Sequence, residues 1–240
     1  MSDSAGTPWT GRTLPTGDFA GDDGAANRGL AQALGVAGAA FTDESVVVAA
    51  IAAARLFVPV VAVAGDTAET SHGTSDAGAD MALVTLTGPD GRRALPVFSS
   101  IDALAAWDTT ARPVPVEARR AAVSAVAEGC QLLVLDVAGP VTYVVSRPAL
   151  WAIGAGRPWT AAHRDAEVLA ALRAAADLED VVGVEADQGE QVQLLVTLTM
   201  HKDLLPQRVQ ALARQVAAAL EASDVIRERV DGLELRVESA

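Results

Sequence analysis

The groups in this chain that could do chemistry are few and scattered. They are His72, His163 and His201, the single cysteine Cys130, an acidic GDDG at Gly21–Gly24 with Asp18 nearby, the adjacent serines Ser99 and Ser100, and the tryptophans Trp107, Trp151 and Trp159. No two histidines have the spacing that puts two imidazoles on one ion, and one thiol cannot complete a thiolate site, so no metal centre is expected. GDDG lacks the alternating ligands of a calcium loop and reads as a turn. GxSxG, a P-loop and a full GxGxxG are absent, and the GAG at Gly154–Gly156 follows a helical pattern rather than a strand. No cofactor is implied, no catalytic residue is assigned, and Cys130, between a helix-stopping Gly129 and an apolar run, reads as a buried, inert thiol.

The spacing best suited to hold a ligand is VFSS, Val97–Ser100. An apolar strand running into a helix leaves serine hydroxyls and unpaired N–H groups on one side, where a carboxylate or phosphate can sit. The same serines serve equally as helix caps. Phe98, Ser99 and Ser100, with Trp107 on the following helix, form one group of the candidate binding residues. Trp151 and Trp159 form the other, because they flank a change of pattern and can anchor either packing between domains or a partner. The expected partners are a protein or a small anionic ligand.

These residues need elements to position them. Residues 1–25 are rich in Gly, Asp, Ser, Thr and Pro and read as a loosely ordered arm. A short helix is expected at 27–34 and a largely buried one from Thr42, capped by Thr42 or Asp43. LFVPVVAVA is a strand whose Pro59 predicts an edge position or a bulge. ETSHGTSDAG, 69–78, is an exposed loop. Met81, Leu83 and Leu86 then mark a strand that turns through GPDG into Leu95, Val97 and Phe98, and Ser99 or Ser100 caps a helix to Trp107. TTARPVPV reads as a linker, 117–128 as a helix, QLLVLDVA and VTYVV as strands, and Pro148 opens a helix ending near Gly154–Gly156. Beyond residue 160 the order reads helix, VVGVEA and VQLLVTLTM as strands, a long amphipathic helix over 203–222, then VIRERV and LELRVE as strands. The class is α/β or α+β: a mixed-sheet domain over 26–160 and a smaller β-β-α-β-β domain over 161–240.

Composition excludes several functions. The chain has 240 residues, half of them hydrophobic, and a formal charge of −13, with Lys202 its only lysine. Phosphate neutralisation needs clustered cations, so neither nucleic acid nor an anionic membrane surface is expected as a partner. The apolar stretch Val46–Ala64 is broken by Arg55 and Pro59 and reads as helix then strand, not a membrane span. The amino terminus has no basic and apolar leader, so a cytoplasmic protein is expected.

Several blocks taken together carry a resemblance: WTGR at Trp9–Arg12, FAGDDG at Phe19–Gly24, DMALVTLTGPDGRRALPVFSS with its following ALAAW, and AGPVTYVVSRPALWAIGAGRPW at Ala138–Trp159. In order and coverage they resemble the SseB family of bacterial proteins, in its actinobacterial form. The resemblance implies a cytosolic α/β domain followed by a smaller carboxy-terminal one, and its family name derives from a serine-sensitivity phenotype. It brings no established reaction or catalytic set. The leading expectation is therefore a non-enzymatic binding or regulatory module. Two alternatives stand beside it: an enzyme of amino-acid metabolism whose dispersed residues bring His163 or His201 to Ser99 or Asp136, and a secretion-linked chaperone or adaptor exposing a contiguous apolar surface.

Overall fold

The computed structural model describes Phe19 and residues 21–37, 43–63, 80–189 and 192–240. The expected loop at 69–78 and residues 1–18 of the expected arm lie outside them. Helices α1 (Arg28–Ala37) and α2 (Glu44–Ala52) lead into β1 (Arg55–Val63), followed by β2 (Asp80–Leu83), β3 (Leu86–Thr87), β4 (Arg93–Val97) and α3 (Ile101–Trp107). Then come β5 (Arg112–Glu117), α4 (Ala118–Ala127), β6 (Leu132–Leu135), β7 (Tyr143–Val145) and α5 (Arg147–Ala155). A 3-10 turn, Ala162–Arg164, opens the remaining part: α6 (Ala166–Ala175), β8 (Val181–Asp187), β9 (Leu194–Met200), α7 (Pro206–Ala222), α8 (Asp224–Arg229) and β10 (Leu233–Ser239). The fold is α+β, with three sheets ordered β2-β1-β5, β3-β4-β6-β7 and β10-β9-β8.

Local chemistry explains most boundaries. Asp43 caps α2, its carboxylate accepting the Ser45 N–H, and Gly156 at φ 65° closes α5 in the left-handed region. The GPDG turn closes as expected, with the Gly91 N–H donating to Gly88 O at 3.0 Å and the Gly88 N–H to Arg92 O at 2.9 Å. The single strand expected before it is instead divided at Val84–Thr85. β2 pairs with β1 in one sheet and β3 with β4 in the next, so the alternating run crosses from sheet to sheet.

Two proline readings change. Pro59 lies in β1, the middle strand, and the expected linker TTARPVPV supplies β5, with Pro59 opposite Pro113 and Phe57 opposite Pro115. The reason is parity. Phe57 exchanges its N–H and C=O with Phe98, at 2.8 and 2.9 Å, so its backbone groups point away from β5. Positions 57, 59, 113 and 115 are then the non-hydrogen-bonded pairs of this ladder, where no N–H is required. On its other side Pro59 lies just beyond the pairing with β2, which begins at Val60.

The third sheet also departs at one element. VIRERV is helix α8, not a strand, because Ser223 accepts the Ile226 N–H, Asp224 fills the first turn, and Arg227 and Arg229 occupy the last turn, where the helix dipole favours cations. β10 pairs parallel with β9, while β8 pairs antiparallel with it. Alternate residues of β9, Leu194, Val196, Leu198 and Met200, are buried and pack with Leu212, Val216 and Leu220 of α7.

The buried side chains fall into separate clusters. One gathers Leu95, Val97, Leu133, Leu135, Ile51, Leu56 and Leu150 from the first two sheets and their helices, and another lies wholly within 162–235. Each fully buried leucine there contributes on the order of 1.5–3 kcal/mol relative to exposure. The described end of the expected arm is tied down: the Arg55 guanidinium donates to both oxygens of Asp22, to Ala25 O and to Ser99 O. Among the described residues, no helix is long and apolar enough to cross a membrane.

Candidate functional site

The VFSS corner lies where the parallel strands β4 and β6 end side by side, the end of such strands at which α/β proteins commonly place ligands. Phe98 is fully buried, its ring 5.3 Å from Trp107, and fills a small core with Phe57 and Leu104. Ser100 caps α3 through its hydroxyl, which accepts the Ala103 N–H at 3.0 Å. Ser99 is buried, and both its donors meet one carboxylate: its N–H reaches Asp136 Oδ1 at 2.8 Å and its hydroxyl Oδ2 at 2.7 Å. Asp136 follows β6 at φ 52°, and its own carbonyl accepts the Gly139 N–H and the Thr142 hydroxyl. An anion therefore does sit at this corner, supplied by the chain from 37 residues downstream. The donors read from the sequence are engaged from inside.

The geometry also bears on a serine nucleophile. Activating a hydroxyl needs a base within about 2.6–3.2 Å; the Asp136 carboxylate meets that distance at the Ser99 hydroxyl, but both residues are buried. Among the described residues, no hydrogen bond joins His163 or His201 to Ser99 or Asp136, and no group of three or more His, Cys, Asp or Glu side chains is placed to hold a metal ion. Cys130 is buried, and burial raises its thiol above the ordinary value despite the nearby Arg93.

Trp151 and Trp159 come together elsewhere, so the six candidate residues form two groups. With Pro148, Pro158 and Arg229 they line a cleft of about 120 Å³. Trp159 is half-buried against the main core. Trp151 is 41% exposed, and the Arg147 guanidinium lies 5.3 Å over its ring.

A polar seam runs beside this cleft. Arg147 reaches from α5 to the carbonyls of Arg227 and Val230 at the end of α8, at 2.9 and 3.1 Å, and its Nε lies 3.6 Å from Asp231. Arg92 holds the other Asp231 oxygen at 2.7 Å. Farther along, the Ala161 N–H donates to Ser45 Oγ and Arg164 pairs with Asp43. The Ser45 N–H, and then Arg164, hold the Asp43 carboxyl below its ordinary value, while burial, and then Arg164, lower His163. Both depressed groups have the same sign: their stabilisation is present above the unfolded values and lost as pH falls through the folded ones. The denaturation midpoint should fall as pH drops below His163's ordinary 6.5, and fall further below 3.8. His163→Gln should remove the first step, and a first step unchanged in that variant would reject the assignment.

The outer face of α4 and α5 carries exposed apolar side chains, among them Val126, which helical patterning of 117–128 puts on the inner side. Val123 and Val126, one turn apart on α4, are 54% and 47% exposed. Gly154, one turn from Trp151 on α5, opens a close approach: a Cβ there would lie 3.8 Å from Val123 Cγ2. Val126, Val123, Gly154 and Trp151 thus form a continuous stripe. Exposed Arg119, Arg120 and Arg157 border it, with Glu117 and Glu128 at the two ends of α4, and Arg119 donates to Gly154 O.

Residues 30–152 match the family model described as SseB protein N-terminal domain. Neither a curated protein nor a solved structure matches the chain.

Proposed function

The chain belongs to the SseB family, and on that premise we propose that it is a protein-binding module whose α4–α5 face receives an acidic, amphipathic segment of a partner protein. The observation that carries this is the exposed Val126–Val123–Gly154–Trp151 stripe edged by arginines. Trp and Arg are the residues most often responsible for binding energy at interfaces, and an apolar strip with a charged rim is what an amphipathic helix covers. Charge narrows the occupant. In a chain of net charge −13, cations gathered beside an apolar stripe select for acidic residues flanking the partner's apolar positions. We propose further that the binding takes place in the cytoplasm.

Random-peptide display on the folded protein tests the reading. Peptides with Asp or Glu around apolar residues at helical spacing should be enriched, and Trp151→Ala should weaken them about 30-fold or more, the loss of at least about 2 kcal/mol expected of a central anchor. The variant should remain folded, losing only the partial burial of a ring that is 41% exposed and its contact with the Arg147 guanidinium. Basic or patternless peptides, or peptides indifferent to Trp151→Ala and Val123→Asp, would overturn the proposal. So would a dimer in light scattering that Trp151→Ala splits, since the face would then belong to a second copy.

A further inference from the structure

A second concavity, unrelated to the α4–α5 face, lies on the seam between the first turn of α2, β7 and the segment leading into β9. It encloses about 440 Å³, within the range of small-molecule pockets. Its walls are mixed, and Ser146, Gln188 and Gln193 give them neutral polar groups. Val48, Val144 and Val192 are apolar, Tyr143 and Trp159 are aromatic, and Glu44 and the Arg92–Asp231 pair are charged. From these surroundings we infer that the cavity binds a small primary ammonium compound with a short apolar chain, its ammonium group at Glu44 and Tyr143.

Charge decides the sign of the ligand. Arg92 and Asp231 satisfy one another at 2.7 Å, and Asp43, next to Glu44, is engaged by Arg164 and the Ser45 N–H. Among the described residues, Glu44 is the carboxylate of this cavity with no ion pair and no hydrogen bond, although it is half-buried. Burial and the adjacent Asp43 both raise its carboxyl above the ordinary value, as expected of a negative charge short of a counter-ion. A carboxylate drawn partly out of water is costly unless a cation or donors meet it.

Chemistry then narrows the cation. The Tyr143 phenol, also without a hydrogen-bond partner among the described residues, adds a second oxygen acceptor for N–H groups, and burial with the Glu44 charge nearby keeps it protonated well above its ordinary value. Trp159 supplies an aromatic face, which favours cations over neutral groups. The valines leave room for a few methylenes, and Gln193 is already engaged, donating to Ser146 Oγ and accepting the Asp231 N–H.

Calorimetric titration of the whole protein with n-butylammonium chloride, butyrate, 1-butanol and tetramethylammonium at constant ionic strength is the test. Butylammonium should saturate one site, with butyrate and butanol at least tenfold weaker and tetramethylammonium, lacking N–H donors, several-fold weaker. Glu44→Gln should weaken butylammonium at least tenfold while melting at the same temperature or higher, because it removes an unmatched charge. Tyr143→Phe should weaken it several-fold. Equal binding of butanol would reduce the cavity to an apolar slot and reject the inference. Preference for butyrate, no saturable binding, or full affinity in Glu44→Gln would reject it as well.

Discussion

Asp136→Ala should destabilise the protein by about 3–5 kcal/mol, the largest effect expected of any single polar substitution in the first two sheets. The carboxylate accepts the Ser99 N–H and hydroxyl at 2.8 and 2.7 Å inside a site where both residues are about 6% exposed. Alanine leaves two buried donors unmade, each costing roughly 1–3 kcal/mol, and places a side chain with no local hydrogen bond in the left-handed region at a further cost of roughly 1 kcal/mol. At about 2–4 °C per kcal/mol for a chain of this size, the melting temperature should fall by about 10 °C. Asp136→Asn should cost under about 1 kcal/mol. Its carbonyl oxygen can accept the Ser99 N–H, its amide can donate to the Ser99 hydroxyl, and asparagine adopts positive φ readily. In a double-mutant cycle, Asp136→Ala should cost less on a Ser99→Ala background than alone. Strict additivity would show that the carboxylate stabilises something other than this corner. An Asp136→Asn variant as unstable as Asp136→Ala would show that the charge, not the hydrogen-bond pattern, is what the fold requires.

That pair also marks the limit of what the residues disclose before folding. Features set within a few positions were legible: a cap at Thr42 or Asp43, the GPDG turn and a cap at Ser99 or Ser100 all follow from local chemistry. Features set by a distant partner were not. Ser99 reads as an anion site because its donors are local, whereas the carboxylate that occupies them arrives 37 residues later. TTARPVPV reads as a linker because prolines break ladders, and its RPVPV becomes a strand only where Phe57 has turned its hydrogen bonds toward Phe98. VIRERV fits both periods, and the capping Ser223 with Asp224 behind it decides for the helix. The same limit holds for the aromatics. Trp107 and Trp151 each follow a short helical pattern, yet one packs on Phe98 while the other faces solvent, a difference made by the neighbouring element alone.

The seam offers the second large effect. Asp231→Ala should loosen residues 161–240 from the rest, at a cost of about 1–3 kcal/mol, and Arg147→Ala should do the same. The Asp231 carboxylate is 15% exposed and lies between Arg92 at 2.7 Å and Arg147 at 3.6 Å, so its removal takes the shared anion from two partly buried guanidinium groups, leaving Arg92 with Asp90 and Arg147 with the α8 carbonyls. The exposure of those arginines, 37% and 31%, keeps the cost below that of a fully buried pair. Arg147→Ala acts from the other side: it withdraws the donor that meets the last carbonyls of α8, where a cation also opposes the helix dipole. We propose that 161–240 is a domain in its own right, because its buried cluster is built from its own residues. Hydrogen exchange then distinguishes two outcomes. If the domain is separate, either variant should speed exchange across α8, β10 and the edge of β9 while the amides of β4 and β6 keep their protection. Equal acceleration in both cores would mean a single cooperative unit, and the seam would then be part of one core's stability instead of a joint between two.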